Sequence, residues 1–134
     1  MMNLIDWIEL PNLGDDRGSL IVVEAKKNIP FEIKRLYYIS NTKADVPRGF
    51  HAHKELYQIA FCIKGKCKMI MDNGIEKQEV WIDQQTKGLK IPPMVWHEMH
   101  DFSEDCILLV LASDFYHEDD YIRSYQDFLK GIVV

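Results

Sequence analysis

Pro47-Arg48-Gly49-Phe50-His51-Ala52-His53-Lys54-Glu55-Leu56-Tyr57-Gln58, continued by Ile59-Ala60-Phe61-Cys62-Ile63, is the stretch that decides how this chain folds. In a β-strand, side chains two positions apart project from the same face. His51 and His53 then face one interior side by side, with Glu55 and Tyr57 further along that face. The residues that follow are apolar and β-prone, so a titratable end runs directly into a core strand. Two imidazoles on a core face imply a use for them.

Outward from this stretch, short apolar segments alternate with turn signals through the first 115 residues or so. Leu4 to Leu10, Ser19 to Ala25, Glu32 to Ser40, Leu56 to Lys64, Lys66 to Met71, Ile75 to Ile82, Gly88 to Ile91, Met94 to Met99 and Asp105 to Ser113 each read as strands. In Glu32 to Ser40, alternation puts Ile33, Arg35, Tyr37 and Ile39 on one face and Lys34, Leu36, Tyr38 and Ser40 on the other. Asp72-Asn73-Gly74 is the strongest hairpin signal. Many short strands at this spacing predict an antiparallel sandwich or barrel. The period then changes: Ile122, Tyr125, Phe128 and Leu129 recur at helical spacing within Glu118 to Lys130. Acidic residues lead this segment and Gly131 follows it, so a closing helix is expected.

With 134 residues, the chain is long enough for one self-sufficient core, and a single domain over 1–134 is expected. A net charge of −5 argues against non-specific nucleic-acid binding. No apolar run approaches the roughly 20 residues of a membrane span. The start, Met1 to Asp6, lacks the basic and apolar regions of a signal peptide. Three cysteines (Cys62, Cys67 and Cys106) with no C-x-x-C pair argue against a disulfide framework or a zinc knuckle. A cytoplasmic protein is the resulting expectation.

Three constellations could carry chemistry. His51-x-His53 with His97 on a neighbouring strand has the arrangement of a cupin metal site. Such sites add a Glu after three or four intervening residues past the second His, where this chain has Tyr57 and Gln58, poor ligands for a divalent metal. Three imidazoles alone can bind zinc, yet the missing carboxylate favours a metal-free reading in which the histidines carry protons near neutral pH. Beside the Tyr37 hydroxyl, they suit abstraction of a proton α to a carbonyl. Arg17, Arg35 and Arg48 form a second set, with forks suited to diphosphate oxygens. Taken singly each reads as a solvated surface residue, Arg35 least so. Met94-Val95-Trp96-His97-Glu98-Met99-His100 is the third. Extended, it separates His97 and Met99 from Trp96, Glu98 and His100. Trp96 reads either as core packing or as a wall for a sugar or base, and His100 and His117 as surface residues. The chain shows no P-loop, Gly-rich dinucleotide turn or Ser-His-Asp order.

The run Arg48-Gly49-Phe50-His51-Ala52-His53-Lys54 stands with Gly88-Leu89 to Pro92-Pro93-Met94-Val95-Trp96, Leu108 to Tyr116, and Asp120-Tyr121-Ile122-Arg123. In combination these resemble the nucleotide-sugar 3,4-ketoisomerases, small cupin enzymes, over nearly the whole chain. The resemblance implies an all-β cupin jelly roll with a short C-terminal helix, no metal or other cofactor, and a homodimer that exchanges its N-terminal strand. It implies a dTDP-linked 4-keto-6-deoxyhexose as substrate and 3,4-tautomerisation through an enediol, supplying 3-amino-3,6-dideoxysugars. It makes His51 the main base, with His53 and Tyr37 as partners in proton transfer. Arg17, Arg35, Arg48, Trp96 and His97 become substrate-binding residues. Within the resemblance, members that leave C4 in the gluco form carry Arg after the Trp of the Pro-Pro-Met-Val-Trp run and Tyr in the early Gly-flanked loop. This chain has His97 and Arg17, which implies the galacto product, with His97 on an opposite wall delivering the C4 proton.

Overall fold

The computed structural model describes residues 3–132. Among them the strands are β1 (Trp7–Glu9), β2 (Arg35–Ile39), β3 (Arg48–His53), β4 (Gln58–Lys64), β5 (Cys67–Asp72), β6 (Lys77–Ile82), β7 (Lys87–Ile91), β8 (Trp96–His100), β9 (Ile107–Ala112) and β10 (Tyr121–Ile122), followed by helix α1 (Tyr125–Lys130). One sheet runs β1-β7-β4-β9-β2 and the other β10-β3-β8-β5-β6. Neighbouring strands in both sheets are antiparallel throughout the described residues. From β2 onward the chain passes back and forth between the sheets, as in a jelly roll. The consecutive strands that pair are β5 and β6, joined at the expected hairpin, where Gly74 takes φ +90°. No helix among the described residues is long and apolar enough to cross a membrane.

Alternation along the central strands divides the apolar residues into three clusters. Ala60, Leu89 and Val110 of the first sheet face Met69, Met71 and Met99 of the second. Each Leu or Met buried there contributes roughly 1.5–3 kcal/mol. Cys62, Cys67 and Cys106 are buried in this interior as free thiols, with Sγ separations of 3.9 Å (Cys62 to Cys67) and 3.7 Å (Cys62 to Cys106). Ile59, Phe61 and Leu111 point the other way and are covered by Ile21, Phe31 and Ile33 from the segment ahead of β2. On the outside of the second sheet, Ala52 and Trp96 are covered by Phe128 of α1.

Four expectations about elements are corrected. Ser19 to Ala25 forms no strand. Its backbone is held by Asn28, whose Oδ1 accepts from the Glu24 amide (2.7 Å) and whose Nδ2 donates to the Val22 carbonyl (2.8 Å). Leu4 to Leu10 narrows to β1, the edge strand, which pairs with β7 of the same chain. The histidine stretch does not run straight into the core strand: the chain leaves β3 after His53 and enters the other sheet at Gln58. Glu55 is therefore exposed, and Tyr57 packs on Phe31, outside the imidazole face (ring centroids 5.6 Å). The helix expected from Glu118 begins only at Tyr125, capped by Ser124. Glu118–Asp120 is a single 3₁₀ turn, and Tyr121 and Ile122 are taken as a strand by the free edge of β3.

Candidate active site

The site starts from a bulge in β3. Register against β8 shifts between Gly49 and His51, where Gly49 has φ +91° and Phe50 +60°. A Cβ on Gly49 would lie 3.0 Å from the carbonyl oxygen of His97, an approach that favours glycine. Bulges re-aim side chains next to functional sites. Here the bulge leaves Phe50 exposed, its ring edge-on to His100, and sets His51 directly opposite His97.

His51 stands edge-on to both other imidazoles, with ring centroids 4.5 Å from His97 and 5.0 Å from His53. Each Nδ1 is engaged: His51 to the Gly49 carbonyl (3.0 Å), His97 to the Val95 carbonyl (3.1 Å), and His53 to Asp120 Oδ2 (3.0 Å). All three partners are acceptors. Each Nδ1 therefore carries the proton, and each Nε2 keeps its lone pair. The Nε2 atoms of His53 and His97 are buried without a partner. Burial lowers all three pKa values: below the ordinary imidazole range for His51, to about 4 for His53 and to about 3 for His97, the latter two lowered further by their proximity to His51. All three rings are neutral at pH 7. His51, with its free lone pair, is set up as a base.

His51 forms part of the lining of a cleft of about 490 Å³ whose walls include Arg35, Tyr37, Arg48, Tyr121 and Arg123. Arg35 places its guanidinium over the rings of Tyr37 (5.6 Å) and Tyr116 (5.9 Å), and its Nε is buried without a partner. Tyr37 donates its hydroxyl proton to Gln58 Oε1 (2.8 Å). Burial pushes the Tyr37 phenol far above its ordinary pKa, so it keeps its proton at neutral pH. Arg123 lies over Tyr121 (4.2 Å) and is held by Glu118 (2.8 and 2.9 Å). A larger hollow of about 560 Å³, lined by Lys34, Lys54, Asp114 and Asp120 among others, contains none of the three clustered imidazoles.

The expected residues divide into three groups. His51, Tyr37, Arg35 and Arg48 meet at the cleft. His53 and His97 sit behind His51, away from the cleft wall; His97 is its cross-strand neighbour, which corrects the expectation of an opposite wall. Trp96 and Arg17 do not join the site in the single chain. Trp96 is on the opposite face of β8, its ring against Tyr125 and Phe128 and its Nε1 donating to Glu98 (2.9 Å). It is a packing residue beneath α1 and no wall of the cleft. Arg17 projects into solvent and pairs with Asp15 (2.6 Å). The three imidazoles bring ring nitrogens within 4.8 Å of one another, a donor set that could take a divalent cation. Neither residue at the expected Glu positions completes it: Tyr57 is outside, and Gln58 is bound to Tyr37.

Asp120, Tyr121 and Arg123 were not identified as site residues from the sequence. Tyr121 packs on His51 (5.0 Å) and His53 (4.4 Å). The signal was present as Asp120-Tyr121-Ile122-Arg123, but helical periodicity absorbed it; an alternation of two would have put Tyr121 and Arg123 on one face.

A two-sheet jelly roll with a neutral histidine, a protonated tyrosine and arginines at one cleft defines a small cupin-type isomerase. Residues 3–132 match the family described as FdtA: WxcM-like, C-terminal. The chain is 54% identical over 125 residues to the TDP-4-oxo-6-deoxy-alpha-D-glucose-3,4-oxoisomerase of Aneurinibacillus thermoaerophilus, covering 93% of this chain and 90% of that one. It is similar to the 3,4-ketoisomerase QdtA of Thermoanaerobacterium thermosaccharolyticum. A histidine-to-asparagine variant of QdtA in complex with TDP-4-keto-6-deoxyglucose has TM-score 0.95 and 39% identity over 98% of this chain and 96% of that one. A QdtA double variant solved with TDP replaces a tyrosine by arginine and an arginine by histidine, at positions numbered as Arg17 and His97 are here. Two Campylobacter jejuni enzymes are also similar: the TDP-quinovose 3,4-ketoisomerase WlaRB (42% identity, TM-score 0.92, 97% of this chain and all of that one) and the TDP-fucose-3,4-ketoisomerase WlaRA (37%, 0.91, 98% and 97%). The chain belongs to the FdtA family and is a sugar 3,4-ketoisomerase.

Proposed function

We propose that the protein converts dTDP-4-dehydro-6-deoxy-α-D-glucose to dTDP-3-dehydro-6-deoxy-α-D-galactose. His51 takes the proton from C3, the C–H electron pair becomes the C3=C4 bond, and the C4 oxygen is protonated to an enediol. The C3 hydroxyl then gives up its proton, its carbonyl forms, and a proton returns to C4. C3 is oxidised and C4 reduced by the same electron pair, so no external oxidant is consumed. Tyr37, held protonated by burial, would turn its hydroxyl from Gln58 to the developing oxyanion. Arg35 and Arg48 at the cleft wall suit the diphosphate.

What carries this reading is a neutral His51 on an arginine-bearing cleft beside a protonated Tyr37. Incubation with the 4-keto sugar nucleotide in deuterated water should exchange the C3 proton and yield the 3-keto isomer. Binding with no exchange would reduce the protein to a nucleotide-sugar module.

The galacto configuration is favoured by Arg17 and His97, the residue types introduced together in the QdtA variant. Overall likeness does not choose, since the quinovose and fucose enzymes are similarly close. His97 acts here through His51, as the second imidazole of a relay. The product would feed 3-amino-3,6-dideoxysugar synthesis for surface polysaccharides, in the cytoplasm where nucleotide sugars are made. A homodimer completes the reading. Leu36 and Tyr38 are exposed on edge strand β2, and Leu20 and Val23 on the preceding segment. Exchange of β1 onto the β7 of a second copy would carry the Arg17 loop with it. Light scattering at the mass of two chains is expected; a monomer would remove this part.

A further inference from the structure

Asp120 arrives at the site from the C-terminal strap and holds two donors with its two oxygens. Oδ2 faces His53 Nδ1 at 3.0 Å, and Oδ1 accepts the Glu55 amide at 2.8 Å. Its own carbonyl accepts the Lys54 amide at 3.0 Å, fastening the strap to the end of β3. The next residue, Tyr121, pairs with His53 in register and packs on its ring (4.4 Å). His53 is only 2% exposed, and its other nitrogen has no partner.

We propose that Asp120 is a positioning residue that fixes the tautomer of His53, keeping the proton on Nδ1 and leaving an unprotonated Nε2 inside the imidazole cluster. The inference rests on the ketoisomerase reading for its consequence, though not for its geometry. A neutral imidazole has its negative end at the unprotonated nitrogen. With that end inside the cluster, His53 favours the positive charge His51 gains when it takes the substrate proton. The other tautomer would put an N–H dipole there and oppose the same step. His97 is held in the matching tautomer by a backbone carbonyl, a fixed acceptor. His53 has no such carbonyl; its tautomer depends on a side chain that can be changed.

Asp120→Asn separates positioning from packing. Asparagine has one acceptor oxygen where aspartate has two, and both the Glu55 amide and His53 Nδ1–H need one. The amide cannot move its proton, whereas the imidazole can. The expected response is an Asn oxygen on Glu55, an Asn NH₂ toward His53, and a shift of the His53 proton to Nε2. In ¹⁵N-histidine NMR of the full chain, the wild type should show His53 protonated at Nδ1 and neutral between pH 6 and 8. The variant should show the exchanged pattern. kcat should fall about 10²-fold, the low end of what general acid–base groups contribute, with KM for the sugar nucleotide little changed.

A wild-type His53 protonated at Nε2 overturns the proposal whether or not the variant folds. So does a folded variant with wild-type kcat, or one whose kcat falls while His53 stays protonated at Nδ1. If the tautomer exchanges but the wild type turns over no 4-keto sugar, the positioning role stands and the ketoisomerase reading falls.

Discussion

At the scale of single residues, the site works by keeping its groups in one protonation state each. Burial holds the imidazoles neutral and Tyr37 protonated. The carbonyls of Gly49 and Val95 orient two of the imidazoles. The sequence predicted which residue types would gather: alternation made the faces of His51, Tyr37 and Arg35 legible, while Arg48, which alternation sets opposite His51, came from its place beside the histidine pair and from the family resemblance. Which of them line the cleft was not legible. His53 shares the strand spacing of His51 and His97 was expected beside them on a neighbouring strand, yet both stand behind His51, because depth within a barrel is set by neighbouring strands. Substitution His97→Arg should therefore act through His51. It is expected to lower the rate and to change the C4 configuration of the product, read by NMR. An unchanged configuration would remove His97 from the stereochemical argument.

At the scale of elements, two features that periodicity could not resolve decide the site. The bulge at Gly49 and Phe50 aligns His51 with His97, and no propensity rule marks it beyond the glycine itself. The C-terminal strap reads as one helix because its apolar residues fall at helical spacing, but β3 has an open edge that recruits Tyr121 and Ile122 first. Tertiary pairing overrides the local preference. Helix α1 is the brace of this arrangement: Phe128 is fully buried, and the Tyr125 hydroxyl donates to Asp72 at 2.7 Å. Phe128→Ala should cost about 3–5 kcal/mol, the usual range for a buried Phe. It should be seen as a lower urea midpoint, with activity falling as the strap bearing Asp120 and Tyr121 loosens. A midpoint within error of wild type would show that the strap is held without α1.

At the scale of the whole molecule, the fold buries ionisable groups at its own expense. His53 titrates at about 4 and His97 at about 3 in the folded protein, against about 6.5 when unfolded. Between those values the unfolded chain binds the extra protons, so stability rises with pH, is complete above about 6.5 and is lost as pH falls below it. Each buried histidine contributes up to about 1.4 kcal/mol per pH unit in that window. The urea midpoint should drop between pH 7.5 and pH 5, and His97→Phe should flatten the drop; equal midpoints in the wild type would mean that the imidazoles are not buried neutral. By itself, the sequence determined the all-β class, the hairpin at Asp72-Asn73-Gly74, the division of β2 into two faces and the residue types of the site, because period and turn chemistry are local. Only the tertiary structure decided that β3 and β4 lie in different sheets, that Trp96 packs under a helix, that Arg17 stays in solvent in the single chain, and that Asp120 reaches His53 from 67 residues away. Those outcomes depend on which strand edges and open faces remain once the sheets close, and a side chain's spacing carries no record of that.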